Sequence, residues 1–163
     1  MVQKLDDSEI VSFKELLMAN SSQAEPLCKR SLKIVEKALG PEHPDVANCL
    51  NNLAAVYYTQ GKCAEAEPLY ERSLKIREKA LGPEHPDMAQ SLNNLALLYR
   101  AQGKYAEAEP LYKRSLKIRE KTLRPDHPDV ATTCENMAGL YRQIGKEDEA
   151  EILEARARKI RSK

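Results

Sequence analysis

The stretch PDVANCLNNLAAVYYTQGKCAEAEPLYERSLKIREKALGPEH, residues 44–85, decides the fold because a near copy of it follows at once. Residues 86–127 align with it without gaps, and 30 of the 42 positions are identical. A shorter Ala-Glu-Pro-Leu begins at Ala24, and Ala-Glu-Ile-Leu begins at Ala150. Similarity at a fixed period of this size predicts an array in which each unit buries its apolar face against its neighbours.

Each unit is predicted to contain two amphipathic helices. In the first helix, the apolar residues recur at the i, i+3, i+4 and i+7 spacing of one helical face: Leu50, Leu53, Ala54 and Tyr57. Gly61 follows and interrupts this helix. The second helix has its own apolar side, formed by Ala66, Leu69, Tyr70, Ser73, Leu74 and Ile76.

Glycine and proline mark the unit boundaries. Gly40 and Gly82 stand where a left-handed helix C-cap is expected, and each is followed by proline. A second proline, followed by aspartate, suits the first turn of the next unit and recurs as Pro44, Pro86 and Pro128. We therefore predict an all-α solenoid of about four antiparallel helix pairs, with units at 44–85, 86–127 and 128–163 and a partial first unit at 21–43, all within one repeat domain at 21–163.

The two ends of the chain depart from the repeat. Residues 1–20 carry an apolar set shifted by two residues from the repeat register, so we interpret them as a diverged N-terminal capping helix or a foreign N-terminal piece. In the last helix, Glu154 and Arg158 replace the recurring Tyr and Leu. Charge at these positions is expected of a helix face that no further unit covers.

Composition and charge argue against several classes of protein. Hydrophobic residues make up 42% and charged residues 31% of the chain, which fits neither a membrane protein nor a disordered tail. Lys+Arg is 26 and Asp+Glu is 25, so binding of nucleic acid through bulk charge is not expected. The charged first thirty residues do not resemble a signal peptide. Because the four cysteines lack Cys-x-x-Cys spacing and substitute for ordinary packing residues, we expect free thiols in the cytoplasm.

No catalytic, cofactor or metal constellation is recognised, so we predict a protein that is not an enzyme. Glycines mark turns and do not form a phosphate-binding loop. His43, His85 and His127 recur one unit apart, which is too far for them to share a metal ion. We interpret each histidine as a turn residue close to the N-terminus of the following helix.

The spacing Leu50-x2-Leu53-Ala54-x2-Tyr57-x3-Gly61-x4-Ala66-x3-Tyr70 resembles the tetratricopeptide repeat, whose basic period is about 34 residues. The longer period, with the signatures Leu-Asn-Asn-Leu-Ala and Leu-Gly-Pro-Glu-His-Pro-Asp, resembles the repeats of kinesin light chains and their prokaryotic relatives, and the near-identity of two units is similar to a prokaryotic-type array. The resemblance covers residues 24–163. It implies a right-handed superhelix in which the first helices line a concave groove that binds peptides or protein segments.

The groove would be lined by the face of each first helix opposite its packing stripe. Helical spacing gives the predicted peptide-binding residues Asn48, Asn51, Tyr58, Gln90, Asn93, Leu97, Arg100, Glu135 and Arg142. The amide of asparagine both donates and accepts hydrogen bonds, and the resemblance assigns peptide contacts to Asn51 and Asn93. A solvated face is the alternative for both. The second asparagine of the motif is interpreted as a structural residue between helices, at Asn52, Asn94 and Asn136.

The predicted function is that of a protein–protein interaction scaffold. Arg100, Arg142 and Tyr58 share one repeat position, which favours an acidic peptide with an apolar or aromatic anchor, while ordinary surface arginines are the alternative. The other basic residues are predicted to lie on a charged convex face and to complement the helix dipoles: Lys75, Arg77, Lys79, Lys117, Arg119 and Lys121. The alternatives are a structural array that associates through its repeat ends and, with less support, a nucleic-acid-binding solenoid.

Overall fold

The computed structural model describes residues 21–163, and within this range it contains seven α-helices and no strand. The predicted capping helix at residues 1–20 lies outside the described residues. The helices are α1 (Ser21–Leu39), α2 (Pro44–Thr59), α3 (Cys63–Leu81), α4 (Pro86–Ala101), α5 (Tyr105–Thr122), α6 (Pro128–Gln143) and α7 (Glu147–Arg161). The predicted all-α repeat fold is confirmed, with three helix pairs following α1.

Short turns join the two helices of each pair, α2 with α3, α4 with α5 and α6 with α7, and these pairs make the most extensive contacts. Buried serines help to close the pairs. The hydroxyl of Ser73 donates to the Ala47 carbonyl at 2.8 Å, and that of Ser115 donates to the Ala89 carbonyl at 2.7 Å. Small side chains at both ends of this bond let the helices approach closely.

Each first helix begins with a histidine cap followed by proline at its first turn. The Nδ1 atoms of His43, His85 and His127 accept hydrogen bonds from backbone N–H groups two residues later, at 3.2, 3.2 and 3.1 Å. The imidazole therefore satisfies one of the free N–H groups at the helix N-terminus. The interpretation of these histidines as turn residues beside a helix N-terminus is confirmed.

The helix ends differ from the prediction in one respect. Gly82 has the expected positive φ of 89°, but its ψ of 162° is extended, so the predicted left-handed C-cap is wrong in that dihedral angle. The cause is Pro83, since a residue that precedes proline is driven to extended ψ. Arg124 holds the equivalent place after α5, and there the helix stops one residue earlier, with Leu123 as a C-cap of negative φ.

The hydrophobic core is a row of small clusters between neighbouring helices. Ile76 of α3 packs on Leu50 within its own unit. Tyr70 of the same helix packs on Leu95 and Leu98 of the next unit. The predicted apolar faces are confirmed, because Leu50, Tyr70 and Ile76 are all buried. Stability therefore comes from a succession of interfaces, as expected of a repeat array.

Ion pairs connect successive units at a constant separation of 37 residues. Lys62, Lys104 and Lys146 pair with glutamates of the preceding unit at 2.9, 2.8 and 3.4 Å, namely Glu25, Glu67 and Glu109. Each lysine also lies over a tyrosine ring, 5.1 to 5.4 Å from its centroid. The near-zero net charge thus reflects acidic and basic residues matched from one unit to the next.

Candidate peptide-binding groove

The first helices α2, α4 and α6 neighbour one another, and asparagines join them. The Asn94 amide donates to Asn51 Oδ1 at 3.2 Å, and the Asn136 amide donates to Asn93 Oδ1 at 3.3 Å. The structural interpretation of Asn94 and Asn136 is therefore confirmed. Asn51 and Asn93 act as their acceptors, and Asn93 is only 4% exposed.

Asn48 and Gln90, both predicted to face the groove, accept hydrogen bonds from two buried arginines. Arg77 Nη2 donates to Asn48 Oδ1 at 2.5 Å, and Arg119 Nη2 donates to Gln90 Oε1 at 2.7 Å. The amide of Gln90 also donates to Asn94. Asn48 and Gln90 therefore connect the first helix of a unit to its second helix, α2 to α3 and α4 to α5.

The placement of Arg77 and Arg119 on a charged convex face is wrong. Their Nη1 atoms reach the next unit, where Arg77 donates to the Asp87 carbonyl and Ser91 Oγ at 2.8 and 2.6 Å. Arg119 repeats this at the Asp129 carbonyl and Thr133 Oγ1. Burial lowers the pKa of both guanidinium groups, against a smaller opposing effect of the aspartates. One signal in the sequence pointed here: Arg77 extends the buried i, i+4, i+7 series Ala66, Tyr70 and Ser73 by one more turn.

Arg100 lies in a notch formed by a helical glycine. Its Nη1 donates to the Asn136 carbonyl at 2.9 Å, and a Cβ atom placed on Gly139 would stand 2.5 Å from that nitrogen. Glycine inside α6 is therefore explained by the close approach of a guanidinium group. The half-buried Arg100 connects α4 to α6 on the predicted groove side.

Arg142 and Glu135 are paired with α7. Arg142 binds Glu154 with Nε and Nη2, both at 2.8 Å, and binds Glu147 with Nη1 at 2.6 Å. These carboxylates raise the pKa of Arg142. Glu135 accepts two hydrogen bonds from Arg161, at 2.6 and 2.8 Å, which lower the pKa of Glu135. In the last unit the predicted groove charges are therefore neutralised within the chain.

Tyr58 and Leu97 are half-buried, and neither side chain is bound to a charged residue of the range 21–163. The ring of Tyr58 packs against the cluster that contains Tyr70 and Leu98. Tyr112 belongs to the neighbouring core cluster, and its hydroxyl is fully buried and makes no hydrogen bond with any described residue. The pKa of Tyr112 is raised to about 12, mainly by burial. Arg100 makes a smaller contribution that lowers this pKa, and Tyr58 makes a smaller one that raises it. Tyr58 and Arg100 therefore both lie within electrostatic reach of this hydroxyl.

The fold and these inter-unit contacts define a helical repeat solenoid, a class of protein that generally serves as an interaction scaffold. A sequence model described as the tetratricopeptide repeat matches residues 15–79, 54–121 and 87–163. The chain belongs to the tetratricopeptide repeat family, whose members are generally non-enzymatic scaffolds that bind protein partners.

Solved structures with similar folds cover nearly the whole chain. BtubC (BKLC) from P. vanneervenii is 24% identical, with a TM-score of 0.80 over 99% of this chain and 67% of its own, and this likeness shows the fold alone. A putative kinesin light chain of Podosopora anserina with nearly identical TPR-like repeats is 30% identical over 99% of this chain and 79% of its own, with a TM-score of 0.69, or 0.72 for a variant of that protein. No curated protein sequence matches the chain. The repeats are therefore of the kinesin-light-chain-like type, as predicted.

Residues 21–163 contain no group of three or more His, Cys, Asp or Glu side chains arranged to hold a metal ion. Among the seven helices of this range, none is both long enough and apolar enough to cross a membrane.

Proposed function

We propose that this protein is an interaction scaffold that binds a peptide or protein segment in the groove formed by α2, α4 and α6. The observation that supports the proposal most directly is a half-buried patch of three side chains, Tyr58, Leu97 and Arg100. The surrounding polar residues are bonded within the described range, residues 21–163. Among the described residues of the predicted site, this patch combines an apolar surface with guanidinium N–H groups that bind no other described residue.

The apolar part of the patch would receive the anchor of the ligand. The bond between Asn51 and Asn94 sets a register of 43 residues between α2 and α4. This register places Leu97 beside Ala54, one helical turn from Tyr58. A Leu or aromatic side chain of the ligand would bury its surface against Leu97 and the ring of Tyr58, which supports binding through a central apolar anchor.

Arg100 would supply the charge that selects an acidic ligand. A guanidinium group carries five N–H donors, and one nitrogen of Arg100 is bound to the Asn136 carbonyl. The other donors can take a carboxylate, with the strength of a charge-assisted hydrogen bond. Arg142 already binds two carboxylates of its own chain, so the preference for an acidic peptide rests on Arg100.

The test uses the full chain and a random peptide library displayed on phage. The strongest binder of the wild type is then measured against Arg100→Ala, Gly139→Ala and the control Lys117→Ala, an exposed lysine of α5. We expect Arg100→Ala to weaken binding at least about tenfold, or about 1.4 kcal/mol. Gly139→Ala should also weaken binding, because its methyl group displaces Arg100, while helix propensity keeps the variant folded. Equal affinity for all four proteins would contradict the proposal.

We also propose that the protein works in the cytoplasm. Its four cysteines are free, and Cys28 and Cys134 are buried. Burial raises the pKa of Cys28 to about 11, which suits an inert packing residue in a reducing compartment. Fractionation of cells that express the tagged chain tests this, and recovery outside the cytosolic fraction would contradict it.

A further inference from the structure

Helix α7 carries an outward stripe of four residues that differs from the rest of the array. Asp148, Ile152, Ala155 and Lys159 follow one another at i, i+4, i+7 and i+11, and all four are exposed. Ile152 is 68% exposed, more than any other large hydrophobic side chain in the described range. The stripe is therefore acidic at one end, apolar in the middle and basic at the other end.

This stripe belongs to the outer surface and not to the face between units. The equivalent residues of α5 are also exposed, although α6 and α7 follow that helix: Ala106, Pro110, Lys113 and Lys117. A further unit after α7 would therefore leave the stripe open. In α3 and α5 the place of Ile152 is taken by proline, so the isoleucine is particular to the last helix.

The charges along α7 are arranged so that two antiparallel copies of the helix bring acidic residues opposite basic ones. Asp148 and Lys159 stand about 16 Å apart along the helix, on either side of Ile152 and Ala155. One flank of the stripe has the same order, with the acidic Glu151 toward the N-terminal end of α7 and the basic Arg158 toward its C-terminal end. When two copies of α7 lie antiparallel, the acidic end of each stripe meets the basic end of the other, and the flanking Glu151 meets Arg158 of the second copy.

We propose that the outer face of α7 binds the same face of a second copy of this chain, in an antiparallel contact with two-fold symmetry. The four charges are exposed, and none forms a salt bridge with any residue of the range 21–163: Asp148, Glu151, Arg158 and Lys159. Glu151 and Arg158 act on Arg142 and Glu154 through longer-range electrostatics. Such a contact is isologous, so it closes at two copies and does not grow into a fibre.

This association goes beyond the binding of a ligand in the groove and does not depend on it. The stripe uses α7, whereas the proposed anchor site uses α2 and α4, so a dimer presents two open grooves. One helix from each copy buries less than the area of a standard interface. The dimer is therefore weak, and its formation depends on protein concentration and on salt.

The test is sedimentation equilibrium of the full chain from micromolar to about millimolar concentration. The average mass should rise from 18.4 kDa toward twice that value. It should fall back when salt rises from about 0.1 M to about 1 M, since the screening length drops from about 10 Å to about 3 Å. Mass that stays at one copy, or that grows beyond two copies, overturns the proposal.

Two charge-reversed proteins make the test specific. An acidic variant carries Arg158→Glu and Lys159→Glu, and a basic variant carries Asp148→Lys and Glu151→Lys. Each alone should remain monomeric at every concentration, while their equimolar mixture should form a one-to-one dimer. Circular dichroism confirms that both keep the helical spectrum of the wild type.

The matched control is Lys75→Glu with Lys117→Glu, which changes the net charge as much as the acidic variant does but on α3 and α5. It should dimerise like the wild type. Ile152→Asp, which places two carboxylates at the two-fold axis, should be monomeric without altering any of the paired charges. A mixture of the acidic and basic variants that stays monomeric, or a control that loses dimers, overturns the proposal.

Discussion

Arg119 and Arg161 occupy the same position in successive units, and the structure places them in different surroundings. Arg119 is 4% exposed and bonds to α4 and α6. The side chain of Arg161 is 47% exposed and binds Glu135 within its own pair of helices. The difference is made by the following unit, since α6 covers Arg119 and no described helix covers Arg161. The repeat position therefore fixes the place of an arginine on its helix. Whether that arginine is buried between units or exposed depends on whether a following unit covers it.

The largest effect is expected on removing an arginine from an interior junction. Arg119→Ala removes the donor of one buried hydrogen bond, to Thr133 Oγ1, and of two part-buried ones, to the Asp129 carbonyl and Gln90 Oε1. The free energy of unfolding should fall by about 2–4 kcal/mol. Arg161→Ala removes an exposed ion pair and should cost less than about 1 kcal/mol. Urea unfolding followed by circular dichroism measures both, and equal losses would contradict the comparison.

A smaller effect, dependent on pH, is expected from the inter-unit glutamates. Hydrogen bonds from Lys104, and then from Gln102, lower the pKa of Glu67. A carboxyl group with a lowered pKa adds stability above its unfolded-state pKa of about 4.3, and that stability is lost as pH falls through the folded-state pKa. Glu67→Gln should therefore lower the free energy of unfolding at pH 7 by up to about 1 kcal/mol, and the difference from wild type should vanish in strong acid.

The last unit offers a matched control for this pH effect. Glu151 holds the position of Glu67, two units later, but makes no ion pair with the described residues. At a protein concentration low enough to keep the chain monomeric, Glu151→Gln should change stability far less than Glu67→Gln does, and its unfolding curves at neutral and acidic pH should stay close to those of the wild type. A loss at neutral pH equal to that of Glu67→Gln would show that the lysine of the next unit is not the cause.

Local patterns made most of the fold predictable. The periodicity of Leu50, Leu53 and Ala54 and the prolines at the helix starts act within a few residues, so sequence alone located the helices and their apolar faces. Local signals conflict at Arg77: helical spacing from Tyr70 and Ser73 puts it on the buried face, but its neighbours Lys75 and Lys79 mark an ordinary basic helix end. Its burial depends on Asp87 and Ser91 of the next unit.

The candidate groove was harder to predict for the same reason. Arg100 and Arg142 share a repeat position, yet Arg100 enters the notch beside Gly139 and Arg142 binds Glu154. Helical spacing gives the face on which a side chain starts. It does not give the partner that a long side chain reaches, which depends on single residues of the neighbouring helix.

The smallest change in the free energy of unfolding is expected on removing the buried hydroxyl of Tyr112. Tyr112 holds the position of Glu154, and its buried hydroxyl has no hydrogen-bond partner among the described residues. Tyr112→Phe removes a polar group that folding has taken out of water, so the free energy of unfolding should stay the same or rise by up to about 1 kcal/mol. Tyr99→Phe is the opposing control, because the Tyr99 hydroxyl donates to Glu71 at 2.9 Å. Its loss should lower stability by about 0.5–1.5 kcal/mol. Both substitutions remove one oxygen atom. If the changes in the free energy of unfolding have opposite signs in the same urea titration, the hydrogen bond of Tyr99 to the preceding unit is the source of the stabilisation. A loss for Tyr112→Phe as large as that for Tyr99→Phe would mean that the Tyr112 hydroxyl does bind a partner.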